Sequence, residues 1–73
     1  MTIYRMLQKT NLGPDDTARL VKAYKAALHE IGLKDRDDPL TQIIARKIIE
    51  VGQTGILDPA QISRLAIKKL RLT

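Results

Sequence analysis

The chain has 73 residues, a formal net charge of +5, no cysteine and one histidine; it is 44% hydrophobic and 3% aromatic. Disulfides and thiolate metal sites are excluded, and a zinc site would have to be completed by carboxylates that no motif brings to the histidine. A domain this small buries only about 60% of the surface its unfolded chain exposes, so an Ile, Leu, Val and Ala core aided by self-association is the expected source of stability. No apolar run reaches the roughly 18 residues of a membrane span, and Met1 to Thr10 lacks a stretch of signal-peptide length. A cytoplasmic, membrane-free protein is therefore expected. The basic balance permits contact with nucleic acid or another anionic surface without establishing it.

Taken in chain order, Ile3, Met6 and Leu7 are spaced for one helical face, which predicts a short helix over about 3–9. Three prolines then mark helix starts. Gly13-Pro14, Asp38-Pro39 and Asp58-Pro59 each set a capping residue before a proline, and proline is favoured at the first helical position because that N–H has no helical partner. Asp38 and Asp58 can accept hydrogen bonds from first-turn amides, and Asp15 and Asp16 suit the positive end of a helix dipole. Gly32 and Gly55 can adopt the left-handed conformation that closes a helix. Three main helices are thus predicted at about 14–31, 39–53 and 59–71. Lys34 to Asp38 reads as a solvated interhelical turn. No linker divides the chain, so residues 1–73 form a single domain.

The second helix is amphipathic, with Thr17, Leu20, Val21, Tyr24, Ala27, Leu28 and Ile31 on one stripe. Tyr24 is expected in the core with its hydroxyl at the rim, and His29 is expected to face solvent. In the third helix Leu40, Ile43, Ile44, Ala45, Ile48, Ile49, Val51 and Gly52 cover about two-thirds of the circumference. Gln42, Arg46, Glu50 and Gln53 leave only a narrow polar strip, and Lys47 snorkels from within the apolar arc. Such a helix must be covered on several sides, by its neighbours or by a second subunit, which makes it the expected central element. In the last helix Ile62, Leu65, Ala66 and Leu70 share a face, and Ile67 is expected to be exposed near the polar side. Ile43, Ile49, Ile56 and Ile67 are the residues assigned to a subunit interface.

The residues carry no catalytic pattern. The four glycines fit no phosphate-binding fingerprint. Ser63 has nothing to place His29 beside it, and Asp35, Asp37 and Asp38 lack the glycine and closing glutamate of a calcium loop. No enzyme, cofactor, metal or small-molecule substrate is expected. The one constellation of note is basic: Arg64, Lys68, Lys69 and Arg71 in the last helix. Such a helix could contact nucleic acid, with Gln61 and Ser63 near base edges. Against that stand the long turn from Gln53 to Asp58, the lack of interleaved aromatics, and the dipole preference for cations at a helix C-terminus.

Asp38-Pro39-Leu40-Thr41, Ala45, Lys47-Ile48-Ile49-Glu50, Gln53-Thr54-Gly55 and Asp58-Pro59 together resemble a pattern in short uncharacterised alphaproteobacterial helical proteins. The resemblance covers about the second half of the chain. It implies a small cytoplasmic bacterial protein, and it supplies no activity or site residues. The expectation is an all-α bundle of three main helices acting as a non-enzymatic protein-interaction module. A homodimer or another protein is its expected partner, with a nucleic-acid-binding or accessory regulatory role as the alternative.

Overall fold

The computed structural model describes residues 2–10, 12–33 and 39–72, and the side chains of Thr2, Arg71 and Leu72 stand outside the description. The fold is all-α: α1 runs Thr2–Leu7, α2 Pro14–Ile31, α3 Pro39–Gly52 and α4 Pro59–Leu72. All three prolines open a helix. Asp58 caps α4 as expected, its carboxylate accepting the Ala60 N–H at 3.2 Å. The charge cluster Lys34 to Asp38, and with it the expected Asp38 cap, lies outside the described residues. Gly13 caps α2 in an extended conformation (φ −72°, ψ 170°) without a side-chain bond, so the acidic first turn of Asp15 and Asp16 is what favours that end electrostatically.

The helix ends are closed by specific bonds. At α2, Gly32 takes φ +73°. Its N–H donates to the His29 carbonyl at 3.2 Å, and the Leu33 N–H donates to the Leu28 carbonyl at 2.9 Å. These are the two bonds of a Schellman motif, with Leu33 packed against the core. α3 stops at Gly52. There the Thr54 N–H and hydroxyl both donate to the Val51 carbonyl, at 3.1 and 2.6 Å. Gly55, with φ +95°, turns the chain beyond that stop rather than capping the helix itself. α1 is shorter than predicted, because the Lys9 and Thr10 amides bond back to Met6 and Leu7 in tight three-residue turns.

α2, about 27 Å long at the helical rise, is nearly as long as the longest extent of the molecule, 28 Å. Its most extensive packing is against α4, followed by α3 against α4; α1 lies across α3 and α2 and does not reach α4 among the described residues. α3 thus packs against all three other helices, but so does α2, and the central position is shared. The core joins Ile3 and Leu7 of α1 to Leu20, Tyr24 and Leu28 of α2, Ile44, Ile48 and Val51 of α3, and Ile62 and Ala66 of α4.

Several faces differ from the periodicity. Tyr24 is fully buried, hydroxyl end included, rather than reaching the rim. Thr41 and Ser63 are buried although polar, and Ile67, expected to be exposed, is only 7% accessible. Leu65 leaves the core face and is 37% accessible. The buried stripe of α4 is therefore Ile62, Ser63, Ala66 and Ile67, rotated away from Leu65. Ser63 and Ala66 of α4, and Ala23 and Ala27 of α2, are all buried with small side chains, and α2 and α4 are the most extensively packed pair of helices. Leu40 and Ile43, counted in the apolar arc of α3, are 41% and 42% accessible.

Candidate interaction surface

α4 is packed by α2 and α3 on one side only, so its opposite face is open. Gln61, Arg64, Leu65 and Lys68 occupy that face and all are exposed. Gln61 and Leu65, and likewise Arg64 and Lys68, are four residues apart, which keeps the four on one face over about two turns. The apolar stripe on the other side of the helix fixes this orientation: with Ile62, Ser63, Ala66 and Ile67 inward, these four must point out. Gln61, Arg64 and Leu65 line a shallow open depression of about 350 Å³.

Electrostatics separates the four basic residues assigned from sequence. Lys69 reaches back across the bundle, its Nζ 4.0 Å from Glu50 Oε1 of α3, while Lys47 Nζ stands 3.8 Å from Glu50 Oε2. Lys47 holds the half-buried position expected of a snorkelling side chain. Among the described residues, Arg64 and Lys68 have no acidic group within 4 Å. The Arg71 side chain lies outside the described residues. Ser63 is turned into the core, with its hydroxyl buried and without a hydrogen-bond partner, so the base-edge contact considered for it has no exposed group to make it.

The four isoleucines assigned to a subunit interface do not share one exposed surface. Ile43 is exposed; Ile49 and Ile56 are partly buried against the core; Ile67 belongs to the core itself. The surplus apolar surface of α3 is thereby reduced to Leu40 and Ile43, because α1, α2 and α4 cover the rest. Two features escaped the sequence reading. Leu65 stands exposed beside Arg64 and Lys68, on a position that the helical period had assigned to the core face. A cleft of about 250 Å³ lies between the start of α2 and the end of α3, lined by Leu12, Asp16, Arg19, Leu20, Gly52, Gln53, Gly55 and Leu57. Its Arg19 is held by Asp16 at 2.6 Å, one helical turn away.

Among the described residues, no three His, Asp or Glu side chains converge as metal ligands, and no helix is long and apolar enough to cross a membrane. Comparison of the chain with protein-family models, with curated proteins and with solved structures gives no match.

Proposed function

We propose that the chain is a small non-enzymatic protein-interaction module of the cytoplasm that meets its partner through the outer face of α4. One observation carries this reading: Arg64, Leu65 and Lys68 stand exposed on one helix face, the two cations without an acidic group within 4 Å among the described residues, while most of the described apolar residues are spent on the core. Arginine is enriched at protein contact surfaces relative to the rest of the surface. The sole serine is buried and the sole histidine exposed, which is why no nucleophile–base pair enters the proposal. The cysteine-free sequence supports the cytoplasmic setting.

Nucleic-acid binding by the same helix has less in its favour. The carboxylate of Asp58 sits at the N-terminus of α4, where a phosphate would otherwise be welcome, and Lys69 is engaged by Glu50. Self-association is the second reading, favoured by Leu40 and Ile43, which lie three residues apart on the exposed side of α3. A stable dimer buries about 800 Å² per partner, so these two residues would form only the centre of such an interface.

Site-specific photocrosslinking tests the proposal: a photoreactive amino acid replaces Leu65 in one variant and exposed Lys25 of α2 in another, in living cells. A discrete protein adduct from position 65 and none from position 25 is the expected result. Adducts to nucleic acid alone, or equal labelling from both positions, would overturn it.

A further inference from the structure

The outer face of α4 carries charge of a single sign beside one exposed aliphatic side chain. Arg64 and Lys68 are four residues apart, about 6 Å along the helix axis, with exposed Leu65 on the same face and the 350 Å³ depression beside Arg64 and Leu65. Given that α4 is the docking element, we propose that this face receives an acidic amphipathic helix of another protein. Two carboxylates one turn apart on that helix meet Arg64 and Lys68, and an aliphatic side chain packs on Leu65.

Three features select that occupant. Carboxylates at i and i+4 of a helix repeat at the same axial interval as the two cations, as flanking charges do beside a coiled-coil seam. Leu65 and the shallow depression beside it offer an aliphatic side chain of that helix the apolar part of the contact. The formal charge of +5 on the chain steers an acidic partner toward it. A duplex suits the face less well: affinity for DNA grows with the number of phosphates neutralised, two unpaired cations neutralise few, and Leu65 would be buried against phosphate without an apolar counterpart.

Fluorescence anisotropy on the full chain tests this with three labelled probes. The first is a synthetic helical peptide with glutamates one turn apart flanking leucines. The second is the same peptide with glutamine for glutamate, and the third a random-sequence DNA duplex. The acidic peptide is expected to bind saturably at low salt. Its affinity should fall about tenfold or more at roughly 0.5 M salt, where the Debye length is short, and by a similar factor in the Arg64→Glu/Lys68→Glu variant. Leu65→Ala should weaken it by a smaller factor.

Absence of saturable binding, equal binding of the glutamine peptide, or tighter binding of the duplex would each overturn the acidic-helix occupant. If the duplex binds and charge reversal abolishes it, α4 remains the docking element and only its partner class is wrong. If the acidic peptide binds equally well to the charge-reversed chain, shown to be folded by circular dichroism, the α4 surface itself falls.

Discussion

Ser63 illustrates how much one small polar residue decides. Its hydroxyl is buried without a partner in the middle of α4's packed stripe, and a buried unsatisfied hydroxyl costs about 1–3 kcal/mol. What the position contributes is small volume, beside Ala66 and within the helix pair that packs most extensively. Replacing it by alanine keeps the volume and removes the orphaned group. Ser63→Ala is therefore expected to leave stability unchanged or raise it by about 1 kcal/mol in urea unfolding; a loss of stability would show that the hydroxyl has a role in the folded state. Gly52 makes the same point about volume. A Cβ added there would collide with the Leu20 side chain of α2, and Leu20 is itself buried. With no side chain at Gly52, the Leu20 side chain packs directly on the end of α3.

At the scale of the element, the helix starts were legible because proline and its preceding capping residue act locally. Pro14, Pro39 and Pro59 open α2, α3 and α4, and the Asp58 and Gly32 caps follow from geometry contained within a few residues. Burial was legible only where a helix is strongly amphipathic. Leu20, Val21, Tyr24 and Leu28 of α2 fell where the 3.6-residue period puts them. α4 did not: its leucines and isoleucines circle much of the helix, so periodicity alone could not decide between Leu65 and Ile67, and the packing of α4 against α2 and α3 buried Ile67. For the same reason the candidate surface was half legible. Arg64 and Lys68 were visible as a basic pair, but Leu65 between them was hidden, and the diversion of Lys69 to Glu50 is a contact between helices that no local pattern encodes. On α3 the buried positions Ile44 and Ile48 agree with the apolar arc. Ile48→Ala is expected to cost about 2–5 kcal/mol, from lost methylenes and the cavity they leave. Guanidinium unfolding checks this, and an unchanged midpoint would contradict the placement of α3 within the core.

At the scale of the whole molecule, the bundle divides its side chains between two tasks. α1, α2 and α3 enclose most of the apolar surface, with Leu40 and Ile43 as the remainder on α3. α4 closes the core with one face and presents the other, with its unpaired charges, outward. That division is physically separable, because solvated charges away from ion pairs contribute little to stability, whereas the same charges dominate long-range attraction to an acidic partner. The central claim is that Arg64 and Lys68 serve binding and not folding. Thermal unfolding of the Arg64→Glu/Lys68→Glu variant beside the unaltered chain, with acidic-peptide binding measured on the same samples, tests it most directly. The expected result is a stability within about 0.5 kcal/mol of the original together with lost peptide binding. Strong destabilisation, or full stability with peptide binding retained, would contradict it.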